Sequence, residues 1–175
     1  LLARANLVRM DDVELAGAWT SILGGANPTA ALRLFSGGSV NPVTSIYLSG
    51  CRFANTTHGV ATMDALNGDL SDDIVTAMTL VGCEFSHCFN GMVMTPGVSY
   101  VNISGSTFRN LDDQAIICQG STAVVSQGNR YISIATVSGV YAINWDGNTN
   151  NCGSIADAFT TPLAGSVYDG HPGYN

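Results

Sequence analysis

The 175-residue chain has no lysine and only two glutamates, Glu14 and Glu84. Those two residue types ordinarily coat exposed helices, so extensive helix is not expected. Charged residues make up only 11% of the chain against 46% hydrophobic, the reverse of a disordered composition. The net charge is −7, and the only cations besides histidine are six scattered arginines, so the basic stripe that grips phosphate is missing. No nucleic-acid partner is expected. Apolar runs break at Gly, Ser or Asp before they could cross a bilayer, so membrane insertion is not expected either. The chain opens Leu1-Leu2-Ala3-Arg4 without an initiator methionine or a basic-then-apolar leader, the look of an excerpt from a longer polypeptide.

Cysteine is present five times, as Cys51, Cys83, Cys88, Cys118 and Cys152, but never as a CxxC pair. The three histidines are dispersed, and His87-Cys88 with Cys83 is the nearest approach to a zinc cluster. Free thiols acting as small core hydrophobes in a reducing compartment are expected, with no metal and no cofactor. Asn144, Asp146, Asn148 and Asn150 alternate like the start of a calcium loop. Thr149 stands where the turn glycine belongs, however, and Ile155 where the closing acid belongs.

What the chain does have is an internal repeat. Thr44-Ser-Ile-Tyr-Leu-Ser-Gly-Cys-Arg-Phe53 aligns with Thr76-Ala-Met-Thr-Leu-Val-Gly-Cys-Glu-Phe85 and with Ser99-Tyr-Val-Asn-Ile-Ser-Gly-Ser-Thr-Phe108. Thr122-Ala-Val-Val-Ser-Gln-Gly-Asn-Arg-Tyr131 is a degenerate fourth copy, and Val13-Glu-Leu-Ala-Gly17 keeps the first half of the pattern. The marker glycines Gly82, Gly105 and Gly128 recur at a spacing of about 23 residues, and longer gaps read as the same unit with loop insertions. Met63 to Ile74 is one such insertion; Gly24 to Ala30 or Ser36 to Pro42 would supply the other.

Alternation within each unit has period two, which is strand chemistry, and each glycine marks a bend. A unit this short cannot bury a face alone, so successive units must stack. The expected fold is all-β: a right-handed parallel β-helix of four to five rungs over residues 13–143. Residues 1–12 would form an N-terminal cap or linker, and 144–175 a loop-rich cap or inter-subunit tail. Phe53, Phe85, Phe108 and Tyr131 would pile into an aromatic ladder, with Cys51 over Cys83. Arg52 and Glu84 share an outward slot on adjacent rungs and would pair across them.

Asp112 and Asp113 are the candidate catalytic groups, since two carboxylates can divide acid and base work on a glycosidic bond. The rung from Phe108 to Ile117 resembles the polygalacturonase family, whose Asp-Asp before an apolar triplet carries the acids. The resemblance therefore implies acid and base roles for Asp112 and Asp113. The chain departs from that family elsewhere: the preceding rung offers Asn90-Gly91-Met92, the following one Ser138-Gly139-Val140, and no Arg-Ile-Lys occurs. Turn chemistry, two aspartates satisfying local backbone amides between strands, accounts for them without more.

Tyr47, Tyr100, Tyr141 and Trp145, with Asp146, are the candidate glycan contacts, because rings stack on sugar C–H faces while polar tips orient hydroxyls. The stacked repeat, free cysteines and sparse catalytic groups resemble the pectin-lyase-like β-helices of bacteriophage tail fibres and tailspikes. That resemblance implies a structural, receptor-binding virion segment assembled in the host cytoplasm. It also implies a homotrimer with other virion proteins and host cell-surface polysaccharide as partners. The alternative is a secreted polysaccharide-degrading enzyme, a glycosidase or lyase.

Overall fold

The structure is a computed structural model that describes residues 2–3, 7–17, 30–34, 42–62, 74–134, 141–145, 151–160 and 167–169. After a short β1 (Leu2–Ala3), strands come in threes. The first rung is β2 (Val8–Asp11), β3 (Glu14–Ala16) and β4 (Ala30–Leu34); the second is β5 (Val43–Ser49), β6 (Arg52–Ala54) and β7 (His58–Ala61). The third comprises β8 (Val75–Val81), β9 (Glu84–Ser86) and β10 (Asn90–Met94), and the fourth β11 (Val98–Ser104), β12 (Thr107–Leu111) and β13 (Ile116–Cys118). The fifth contains β14 (Thr122–Gln127), β15 (Arg130–Ile134) and β16 (Ile143–Trp145), and the sixth β17 (Gly153–Ile155), β18 (Ala158–Thr160) and β19 (Val167–Asp169).

Equivalent strands pair in parallel across rungs and build three sheets. Sheet one holds the first strand of each rung, sheet two the second, and sheet three the last, with β1 added at its edge. Side chains from all three sheets meet in one hydrophobic cluster, so the architecture is a parallel β-helix. Among the described residues no helix is long and apolar enough to cross a membrane. The stack outruns the expected boundaries on both sides. Val8–Asp11 pairs with β5, and Gly153–Ile155 with β14, so parts of both expected caps join the stack, and the described residues contribute to six rungs where four to five were expected. The insertions Gly24 to Ala30, Ser36 to Pro42 and Met63 to Ile74 lie almost wholly outside the described residues.

The marker glycines form a column at the bend between sheets one and two. Gly50, Gly82, Gly105 and Gly128 all adopt φ between 58° and 62°. The same bend is made by Asp12 (φ 54°) in the first rung and Ala156 (φ 53°) in the last. Sequence alignment on Gly17 was therefore out of phase: Leu15 pairs with Phe53, and Gly17 sits beyond it at the next corner. A residue other than glycine at the bend concealed the true register.

Three residues past the bend, the aromatic ladder stands as expected and extends one rung further. Ring centroids are separated by 4.9 Å for Phe53–Phe85, 4.5 Å for Phe85–Phe108, 5.1 Å for Phe108–Tyr131 and 4.7 Å for Tyr131–Phe159. Parallel in-register strands hold equivalent residues at the strand spacing of about 4.8 Å, and planar rings suit that spacing well. The opposite wall must be thin to admit them: a Cβ on Gly59 would lie 2.5 Å from Phe85 Cδ1.

Candidate functional site

One residue past the bend runs a second column, which grows more polar along the stack: Val13, Cys51, Cys83, Ser106, Asn129 and Asp157. The Cys83 N–H donates to Ser106 Oγ (3.1 Å), the Ser106 N–H to Asn129 Oδ1 (2.7 Å), and the Asn129 N–H to Asp157 Oδ1 (2.7 Å). Each side chain thus serves an amide one rung below. Cys51 and Cys83 do sit in one slot, both buried, with thiols directed at the carbonyls of Met10 and Leu48. Burial pushes the Cys83 thiol up to about 11, against partial relief from backbone hydrogen bonds, so it is an inert core group.

At the fifth rung the inward aliphatic column Leu48, Leu80, Ile103 changes to Ser126. The aromatic slot changes with it, from phenylalanine to Tyr131. Ser126 Oγ lies 2.7 Å from Tyr131 OH, receives Asn129 Nδ2 at 2.9 Å, and donates to Asp157 Oδ2, which also accepts from Ser154 Oγ at 2.7 Å. A phenol brought into the core needs a partner, and serine at this position supplies one. The degenerate fourth copy of the repeat is therefore a compensated exchange, not a decayed one.

Asp112 and Asp113 occupy the corner between β12 and β13, where the chain from Phe108 to Ile116 is one residue longer than from Phe85 to Met92. Their amides donate to the carbonyls of Cys88 (3.0 Å) and Phe89 (2.8 Å) in the rung below. Asp112 is exposed, whereas Asp113 is only 4% exposed. The corner therefore places one of the two residues in solvent and buries the other. Beside it, Asn110 Nδ2 and His87 Nε2 lie 3.5 Å apart on the surface, both with left-handed backbone. His87 does not join Cys83 and Cys88 in a metal site, and no cluster of three potential ligands occurs among the described residues.

The glycan candidates divide. Tyr47 and Tyr100 are exposed on the outer face of sheet one, with the Arg9 guanidinium 5.4 Å from the Tyr47 ring centroid. Tyr141 is half-buried. Trp145 is a correction: it pairs with Cys118 in sheet three and is 2% exposed, its indole within the hydrophobic cluster, so it cannot stack on a sugar. Alternation along Ile143–Trp145 turns both Ile143 and Trp145 inward. Asp146 lies outside the described residues.

Sheet two carries the ion pairs that cross rungs. Arg52 Nε lies 3.2 Å from Glu84 Oε1, as the shared slot implied, and the network extends to Arg109 (Nη2 to Glu84 Oε1, 2.8 Å) and Glu14 (3.4 Å from Arg52 Nη1). Partial burial works to raise the Glu84 pKa, but Arg109, then Ser86 and Arg52, outweigh it and hold the carboxyl below its ordinary value. Sequence reasoning found Arg52–Glu84 from its one-slot register and missed Arg109, which reaches back from two residues further along its strand.

A feature with no sequence signature lies in sheet one. Ser45, Ala77, Tyr100 and Ala123, at equivalent places in successive rungs, all have φ between 55° and 57° and are skipped by the strand pairing. They form a column of left-handed backbone positions in register across four rungs. No family model, curated protein or solved structure matches the chain.

Proposed function

We propose that the chain is a structural segment of a phage virion appendage, a tail fibre or tailspike, that works in host attachment as a homotrimer. The observation that carries this reading is the unbroken stack of five rings through rungs two to six. Together with in-register strands on three sides, it makes a stiff prism suited to transmitting load along its axis. The column of backbone N–H groups donating to Ser106, Asn129 and Asp157 side chains and the Glu14–Arg52–Glu84–Arg109 network add cross-rung ties in the same direction. The Asp112–Asp113 corner fits the same picture, since its amides tie one rung to the next.

Light scattering on the purified chain tests the reading. A species near three times 18.2 kDa that persists in mild denaturant is expected. A monomer that releases reducing ends from acidic polysaccharide, and loses that activity on Asp112→Asn or Asp113→Asn, would replace this reading with an enzymatic one.

A further inference from the structure

Sheet one differs from the other two in what it shows to solvent. All five large hydrophobic side chains exposed among the described residues belong to it or adjoin it: Tyr47, Val81, Tyr100 (69% exposed) and Ile155 (54%) on its strands, and Leu7 directly before β2. Its charge pattern is distinct from that of sheet two; sheet three, whose strands carry only Arg33, Asp169 and the buried His58, is as sparse but is buried throughout β7 and β10. β5, β8, β11, β14 and β17 contain no charged residue. The sheet's only charges are Arg9 and Asp11 at its first strand, and these pair with each other at 2.7 Å. Sheet two, by contrast, carries Glu14, Arg52, Glu84, Arg109 and Arg130.

We infer that the outer face of sheet one packs against other copies of this chain, an assignment that rests on the oligomeric reading above. Charge distribution chooses the occupant. Copies with a net charge of −7 repel one another, and an uncharged face is where they can approach without burying unpaired charge. Aliphatic Val81 and Ile155 suit a protein surface, whose interface core is typically depleted in charge and enriched in tyrosine. Area is sufficient but not generous. Six strands about 4.8 Å apart and up to about seven residues long present about 500 Å² per copy, so two such faces reach about 1,000 Å², where specific interfaces begin.

Tyr100 adds an independent observation. It holds a left-handed position with φ 57°, where the equivalent places in other rungs hold Ser45, Ala77 and Ala123. A bulky side chain is costly in that conformation and is kept where something outside the fold uses it. The inference assigns Tyr47 and Tyr100 to contact between copies in place of glycan.

Sedimentation equilibrium on the whole chain over a wide concentration range is the test, with circular dichroism to confirm that each variant folds. Val81→Glu and Asn102→Glu, both on the sheet-one face, are each expected to weaken self-association at least about tenfold. Thr107→Glu on sheet two should leave it unchanged, and Tyr100→Gly should weaken association while leaving the fold intact. Association that survives both folded glutamate variants on sheet one overturns this assignment and leaves the oligomeric reading standing. A wild-type chain that stays monomeric throughout overturns both. A monomer that binds a neutral polysaccharide and loses it on Tyr100→Gly gives the face to glycan instead.

Discussion

Replacing Phe85 with alanine tests the ladder at its centre. The ring has no exposed surface and lies between Phe53 at 4.9 Å and Phe108 at 4.5 Å, the latter within 4° of parallel. Burial and cavity terms for a Phe→Ala change amount to about 3–5 kcal/mol. Each ring–ring contact adds about 0.5–1.5 kcal/mol beyond area, and two are lost. Collapse offers little relief, because the facing wall is Gly59, which has no side chain to move into the gap. A loss near about 5 kcal/mol is therefore expected from urea unfolding followed by circular dichroism, read from the midpoint at constant slope. Phe85→Leu, which keeps most of the volume, should lose only about 1–2 kcal/mol. A loss below about 1 kcal/mol for the alanine variant would refute the argument that ring stacking holds the rungs in register.

Gly91→Ala places a Cβ 2.5 Å from the Ala115 carbonyl oxygen and 2.7 Å from Phe108 Cδ1, and backbone cannot yield cheaply there. A loss of about 1–3 kcal/mol in the same unfolding assay is expected. Ser126→Leu restores the aliphatic column but strips Tyr131 OH, Asn129 Nδ2 and Asp157 Oδ2 of a partner, so it should cost about 1–3 kcal/mol, and less in a Tyr131→Phe background, where only the last two are affected. A double-mutant cycle that shows no coupling between the two would contradict the compensated exchange. Burial pushes the His58 imidazole down to about 4, whereas the unfolded residue titrates near about 6.5. Between those values the unfolded state binds more protons, so the His58 contribution is full above about pH 6.5 and is lost as pH falls towards 4, by about 3 kcal/mol. His58→Asn, which places the residue found at the paired position Asn90, should flatten that part of a stability–pH curve.

The fold was legible in the sequence because three rungs obey one template closely. Gly50, Gly82 and Gly105 mark the bend, and the phenylalanine three residues later marks the core. Both are chemically distinctive: the bend has a positive φ, which glycine adopts freely, and the stack needs planar rings. Rungs one and six escaped because they meet the same demands with other residues. Asp12 and Ala156 take the bend and Leu15 takes the ring slot, so no glycine–aromatic pair survives to mark the register. Phe159 does keep the ring, but it stands behind an alanine.

The surface was less legible, and for a physical reason. Alternation alone says which strand residues point out, yet three sheets and their corners divide those residues among unlike faces. Trp145 fell on the inward side because the strand Ile143–Trp145 pairs with Ile116–Cys118, a pairing that is twelve residues past Tyr131 and has no repeat marker near it. Asp112 and Asp113 read as a pair because they are adjacent in sequence, but the corner exposes the first and buries the second. Charge tells the opposite story. Both glutamates and three of the arginines, Arg52, Arg109 and Arg130, gather on sheet two, while five of the six strands of sheet one carry no charge. A stacked repeat converts position within a unit into a face of the molecule, so five uncharged strands in a row amount to one uncharged wall. On a chain of net charge −7 that wall is where a second copy meets least opposition.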